Sequence, residues 1–436
     1  MSNGSPGFPA LQIEEHRLDN GLRVVLNPDA ALPLVAVNLW YHVGSQNETP
    51  GRTGFAHLFE HMLFQGSQHV GTNDHFRYIQ QVGGVANGST WYDRTNYYET
   101  LPATHLELGL WLESDRMGWL LPAMTAEKLE MQRQVVMNER RQRVDNQPYG
   151  RAYERLDELL FPAGHPYHWP VIGYMDDIAA ATLEDVESFF RTWYTPDNAV
   201  LTLSGAFAPG EALELVRRYF GDIPPGPKPA RMRHVVDELA GQVRETQTDN
   251  VELARVHLAF RLPPYGDDDW YAADLLATVL TGGRSSPLYR DLVYERQLAQ
   301  DVGAFALPTE LAGSFALVAT ARPEVAPETL EEAVREHLRQ AAADPFAEVE
   351  LERARNRVLT QHWEGLQQLD QRADQLSQLV TFFGDPHLLP RELERYRTLT
   401  AEDLRSCAAR WLRDERSAAV TVVPAGGSPS GSQVAA

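Results

Sequence analysis

Cysteine is almost absent: Cys407 is the only one in 436 residues. One thiol closes no disulfide and builds no thiolate cluster, so any metal site must draw on His, Asp and Glu. Positive charge is also scarce, with 39 basic side chains against 60 acidic ones and a formal net charge of −21. Holding a phosphate backbone needs clustered cations, which argues against nucleic acid as a partner and leaves a basic ligand or peptide open. No run of about 18 uncharged apolar residues occurs, so no membrane span is expected. The opening MSNGSPGFPALQ has neither the basic nor the apolar region of a secretory signal, which leads to the expectation of a cytoplasmic protein. What the chain has in quantity is apolar material, 43% hydrophobic and 9% aromatic residues, ample for large buried cores.

Turn chemistry at Asp19-Asn20-Gly21 predicts a hairpin over Arg17–Asn27. Alternation predicts a strand from Leu34 to Val43, with Val35, Val37, Leu39 and Tyr41 on one side. Helical spacing follows in Gly54–Phe64, His75–Gln81, Leu106–Leu121, Ala126–Val144 and Leu183–Trp193. Pro224, Pro225, Pro227 and Pro229 make 223–232 a stiff linker that continues neither helix nor central strand. The halves on either side of it echo each other. Thr182-Leu-Glu-Asp-Val with Trp193 recurs as Thr400-Ala-Glu-Asp-Leu with Trp411, and Leu129-Glu-Met-Gln-Arg resembles Leu351-Glu-Arg-Ala-Arg. The pattern predicts a duplicated α+β unit: an N-terminal domain over 11–222, a C-terminal one over 233–424, and flexible tails at 1–10 and 425–436.

His57-Leu58-Phe59-Glu60-His61 is the sharpest feature. On a helix, positions i and i+4 lie one above the other, so His57 and His61 can hold one ion between their imidazoles. Glu60 is offset by a fraction of a turn, within reach of water on the ion without itself binding it. Two His, a carboxylate and an open position suit catalytic zinc, and HxxEH inverts the HExxH zinc motif. Zinc lowers the pKa of bound water towards about 7, and a neighbouring Glu can pass the proton to a leaving amine. The apolar flanks Gly54-Phe55-Ala56 and Met62-Leu63-Phe64 put the pair on a partly buried helix, where imidazoles need partners. A third ligand should be a carboxylate on another element. Glu139 is the candidate, although its spacing alone does not separate it from one more solvated acid on a charged helix. His69 and His75 are assigned to surface polarity, His165 and His168 in HPYHWP to a packed turn, and Cys407 to a quiet buried position.

His57-xx-Glu60-His61 followed by Glu139 resembles the M16 metallopeptidases, the inverzincins, and within them the short-chain branch that includes the mitochondrial processing peptidase and bacterial relatives. Further matches run over most of the chain: Gly83-Gly84-x-x-Asn87-x-x-Thr90, His165-Pro166-Tyr167, Tyr194-x-Pro196-x-Asn198 and Gly283-Arg284-Ser285-Ser286. The resemblance implies two homologous domains, each a β-sheet backed by helices in an α/β roll. It also implies one Zn2+ per chain held by His57, His61 and Glu139, with Glu60 as general base. It makes Asn87, Ser89 and Thr90 part of an edge strand against which an extended peptide pairs.

Two departures matter. Gln132 stands where relatives often carry a Glu seven residues before the ligand, so the tuning of the metal from that position loses a charge. Val293 and Gln300 stand where relatives with a complete site often have an Arg and a Tyr that fix the substrate. A metal-bearing subunit that takes the Arg/Tyr pair from a related partner in a heterodimer is therefore expected, with a homodimer as the other possibility. The second half has Ala273, Leu276 and Ala277 where the first has His57, Glu60 and His61, and so carries no site. The expected activity is that of a zinc endopeptidase; the alternative is an assembly subunit of a complex with a vestigial zinc site.

Overall fold

The computed structural model describes residues 11–227, 231, 239 and 241–425; the expected tail at 1–10, nearly all of that at 425–436 and part of the 223–232 linker lie outside them. It is an α+β structure with two sheets. The first contains β1 (Glu14–Arg17), β2 (Arg23–Pro28), β3 (Leu34–Tyr41), β4 (Val85–Thr90), β5 (Thr95–Pro102) and β6 (Ala199–Gly205) in the order β1-β2-β6-β3-β5-β4. The second contains β7 (Val243–Asp249), β8 (Arg255–Leu262), β9 (Ala299–Leu307), β10 (Gly313–Ala321) and β11 (Ser417–Pro424) in the order β7-β11-β8-β10-β9. Apart from β1 the two orders coincide. In each, the first strand of the repeat pairs parallel with the last, and the other neighbours are antiparallel. The duplication read in the sequence is thus a duplication of topology.

The helices of the first half are α1 (Phe55–Met62), α2 (Asp74–Gln81), α3 (Leu106–Trp119), α4 (Ala126–Arg140), α5 (Ala152–Leu160), α6 (Met175–Ala180), α7 (Leu183–Trp193) and α8 (Pro209–Phe220). Those of the second are α9 (Asp268–Thr281), α10 (Pro287–Tyr289), α11 (Pro327–Ala343), α12 (Glu348–Gln367), α13 (Leu369–Phe383), α14 (Leu389–Thr398) and α15 (Ala401–Trp411). The repeated Thr-x-x-Asp strings do the same local work. Thr182 and Thr400 each cap a helix through a reciprocal box with Asp185 and Asp403, satisfying N–H groups that the first turn leaves without partners. The 126–144 pattern breaks near its end, where α4 passes into a π-helical turn over Arg141–Asp145.

The two compact units are not contiguous halves. One comprises 1–138, 170–231 and 362–393, the other 139–169, 232–361 and 394–436. The reason is that each sheet is covered on both faces. Val35, Val37, Leu39 and Tyr41 of β3 face a core shared with α1, α3 and α7. On the opposite face Val25, Trp40 and Val200 meet Leu376 and Val380 of α13, a helix from the second half of the sequence. In the other unit α5, from the first half, lies on β8 and β11; Arg261 Nε donates to the Leu160 carbonyl at 2.6 Å, and the Tyr153 ring stands 5.1 Å from that of His257. Helical periodicity shows that a helix has an apolar face but not which sheet the face will cover. No helix among the described residues is long and apolar enough to cross a membrane.

Candidate metal centre

Helix α1 buries Phe55, Leu58, Phe59 and Met62, and Phe59 packs on Phe189 and Tyr194 at 5.3 and 5.1 Å between ring centroids. That anchoring turns the other stripe of the helix, with His57, Glu60 and His61, away from the core. The imidazoles of His57 and His61 lie 4.9 Å apart, one turn from each other. Glu139 stands on the last turn of α4, whose Leu129, Val136 and Met137 are in the same core as α1. The division into units falls within this helix, between Asn138 and Glu139, so the carboxylate is placed by a continuous helix. Donor atoms of His57, His61 and Glu139 all lie within 4.8 Å of one another. Two imidazoles and one carboxylate at that spacing fit zinc with an open fourth position. Glu139 Oε1 also pairs at 2.7 Å with Arg143, whose side chain is 76% exposed and can move aside.

Glu60 is oriented from the sheet. Thr90 Oγ1 donates to Glu60 Oε2 at 2.7 Å, and a Cβ added at Gly88 would come within 3.1 Å of Glu60 Cγ. Strand alternation therefore puts Gly88 and Thr90 on the Glu60 face of β4, and Asn87 and Ser89 on the other. Ser89 Oγ donates to Asn96 at 2.6 Å there, and Asn87 takes the N–H of Gly88 at 2.9 Å. β4 is the terminal strand of its sheet, with one edge unpaired among the described residues. Gln132 is buried two turns before Glu139, and among the described residues no hydrogen bond joins it to the triad. Val293 is buried in the second core, and Gln300 is exposed on β9.

The start of α1 agrees with the expected Gly54–Phe64 helix, but what caps it was not legible from its sequence. Gly54 takes the N-cap position with φ 83° and has no side chain to cap with; a Cβ there would meet the Ile172 carbonyl oxygen at 2.6 Å. Glu48 supplies the cap from the preceding loop, its two oxygens accepting from Gly54 N and Ala56 N at 2.8 Å each. Burial pushes this carboxyl well above the usual range, against the pull of the Ala56, Gly54 and Phe55 N–H groups. Thr53, one residue earlier, is held by Asp177 through both its N–H and its hydroxyl, at 3.1 and 2.7 Å. The available cue was a lone acid in an irregular loop before a helix that lacks a capping side chain.

His75 corrects an expectation: it is 3% exposed, not a surface residue. Together with Glu99 and Glu113 it forms a second set of converging donors, all three buried. Arg116, itself buried, already holds both oxygens of Glu113, with Nε at 2.8 Å from Oε2. Burial and the neighbouring Glu113 hold the Glu99 carboxyl well above its usual range, while burial and Arg116 push the His75 imidazole well below. A neutral Glu99 and a neutral His75 beside one closed ion pair balance the charge without a cation. His165 does sit in a packed turn, its ring 4.7 Å from that of Phe161. Cys407 is buried, and its thiol is pushed up to about 12.

A sequence model described as insulinase, peptidase family M16, matches residues 23–163, and one described as the peptidase M16 inactive domain matches 180–358. The zinc protease PqqE of Helicobacter pylori is 28% identical over 428 residues, covering 94% of this chain and 93% of that one. An uncharacterized zinc protease of Mycobacterium tuberculosis is 28% identical over 430 residues, covering 98% and 97%. The crystal structure of a protease from Helicobacter pylori superposes with a TM-score of 0.89 at 27% identity, over 95% of this chain and all of the other.

Proposed function

Since the chain belongs to the M16 peptidase family, we propose that it is a zinc endopeptidase of short peptides or unfolded segments, and the metal-bearing subunit of a two-subunit enzyme. The observation that carries this reading is the convergence of His57, His61 and Glu139 beside a Glu60 that is tied to the edge strand. A peptide pairing along the free edge of β4 would be held through its backbone, with little regard to sequence. The two histidines and Glu139 would hold zinc, which supplies polarisation of the scissile carbonyl and acidification of water. Glu60, steadied at Oε2 by Thr90, would take a proton from water and return it to the departing amine. Charge developing on the carbonyl oxygen needs a donor as well. Val293 and Gln300 stand at the positions of the Arg and Tyr, which motivates a related partner that carries the pair.

The test is metal content plus cleavage of a quenched peptide by wild type and by Glu60→Gln, each alone and with a co-purified partner. One zinc per chain in both proteins is expected, with turnover lowered by about 10^3-fold in the variant. Full activity of the isolated chain would refute the two-subunit part. Bound zinc with no cleavage in either assembly would favour an assembly subunit with a vestigial site.

A further inference from the structure

The face of β4 turned away from Glu60 borders a cavity of about 420 Å³, walled by β3, β5, the β4–β5 turn and α13. Every lining residue carries a hydrogen-bonding group, among them Asn38, Ser89, Arg94, Asn96, Asp370 and Asp374. An aliphatic group placed there would leave those polar atoms unpaired, a heavier penalty than a hydrophobic pocket imposes on a poor fit.

The bonds already made fix what is left over. Arg94 Nη1 gives its protons to the Ser89 carbonyl at 2.8 Å and to Asn96 Oδ1 at 3.1 Å. Trp40 Nε1 at 2.7 Å, Asn96 Nδ2 at 2.9 Å and Asn38 Nδ2 at 3.4 Å all converge on Oδ1 of Asp374. Among the described residues nothing donates to Asp374 Oδ2, to Asp370 or to Gln375 Oε1, the last of these buried. Two carboxylates against one guanidinium leave the cavity negative, with acceptors in excess. A peptide paired on the outer edge of β4 would point alternate side chains to opposite faces, those on this face standing beside Asn87 and Ser89.

We propose that this cavity is a subsite for a basic side chain, Lys or Arg, of the peptide that adds to β4. The ammonium or guanidinium would donate to Asp370, to Asp374 Oδ2 and to Gln375 Oε1, while its aliphatic stem passes Ser89. Selection would then act at the peptide position beside Ser89, on the face opposite the one from which Glu60 works. The proposal rests on the reading of β4 as the strand that receives the peptide.

The experiment uses the full-length, zinc-loaded Glu60→Gln chain and blocked alanine octapeptides that carry Lys, norleucine or Glu at each position in turn. Binding is followed by titration and by the Trp40 indole N–H resonance, because that proton sits on Asp374. The expected result is that Lys binds about tenfold tighter than norleucine at the position that enters the cavity and moves the Trp40 signal. Asp370→Asn should remove the preference; Asp374→Asn, which keeps an acceptor for Trp40, should weaken it. Equal affinities, a preference for Glu, or a Lys preference that leaves Trp40 unmoved and survives both variants overturns the subsite. Wild-type cleavage of the alanine peptides without any Lys preference sinks the subsite alone. A saturable Lys-dependent shift of Trp40 without cleavage sinks the peptidase reading alone.

Discussion

Helices α1 and α9 follow corresponding strands of the two sheets, β3 and β8, and part ways in what they show beyond their buried stripe. In α1 one side is packed and the other offers His57, Glu60 and His61. In α9 the packing goes nearly all round: Trp270, Tyr271, Ala273, Leu276, Ala277 and Leu280 are all buried. The approaches differ as well. β3 ends at Tyr41 and α1 starts at Phe55, a long loop that brings Glu48 back onto the helix start; β8 ends at Leu262 and α9 starts at Asp268, with Asp267 capping through its own side chain. The topology is shared, so the chemistry depends on a helix that keeps one polar side and on a loop long enough to anchor it.

The strongest attempt to break this contrast is to write the motif into α9. Ala273→His with Ala277→His would restore two imidazoles one turn apart, but at positions 0% and 2% exposed. Overpacking costs about 1–3 kcal/mol, and each buried imidazole without a partner adds a similar amount. We expect a loss of about 4 kcal/mol or more in denaturant unfolding and no second equivalent of zinc. A variant as stable as wild type that binds two zinc ions would show that the surroundings of α9 are not what separates the halves.

Much of this contrast could be read before the fold was known. HxxEH has a spacing that only a helix turns into a site, and Thr182/Thr400 with their shared partners exposed the duplication, because local rules of capping and periodicity govern both. Three things were out of reach. The exchange of α5 and α13 between units depends on which sheet face lacks cover, a tertiary property. The burial of His75 depends on Glu99, Glu113 and Arg116, contributed by a strand and a helix distant in sequence. Glu48 caps a helix six residues away through an irregular loop, for which no period exists to detect.

The two helix starts give the next test. Removing Glu48 as Ala leaves the N–H groups of Gly54 and Ala56 buried without an acceptor, at about 2 kcal/mol. Removing Asp267 as Ala exposes an N–H to water on an open surface, at about 0.5–1 kcal/mol. Glu48→Ala should also weaken zinc binding measured by chelator competition, since His57 follows immediately after Ala56; Asp267→Ala should leave it unchanged. Equal effects of the two substitutions on zinc affinity would dissolve the link between the loop and the site.

The sealed group in the first unit makes stability depend on pH, and the second unit has counterparts in Asp274, whose carboxyl burial pushes up to about 6, and His257, whose imidazole burial pushes down to about 3. The carboxyl of Glu99 is raised in the folded chain, so its contribution is fully present below the unfolded value, about 4.3, and is lost as pH rises through the folded value. His75 is depressed, so its contribution is present above the unfolded value of about 6.5 and is lost as pH falls. Glu99→Gln removes only the first dependence. Its urea midpoint should fall less than that of wild type between pH 5 and pH 8, and parallel curves would mean that Glu99 does not hold its proton in the folded state.

The smallest effects should come from the most alike parts. Thr182→Ala and Thr400→Ala break matching capping boxes, whose N-cap backbone angles agree within 3° in both φ and ψ, and each should cost about 1 kcal/mol. Equal costs would show that the local energetics survived duplication. Their consequences should still differ, because α7 carries Phe189 and Phe190 against Phe59 of α1, which bears the proposed ligands His57 and His61. The corresponding α15 packs Leu404, Cys407 and Ala408 into the second core, with no converging set of metal-binding donors behind it among the described residues. Zinc affinity should therefore drop slightly with Thr182→Ala and not at all with Thr400→Ala. The same lost hydrogen bond, felt at the metal in one half only, would separate what the repeat inherited from what the first half has kept.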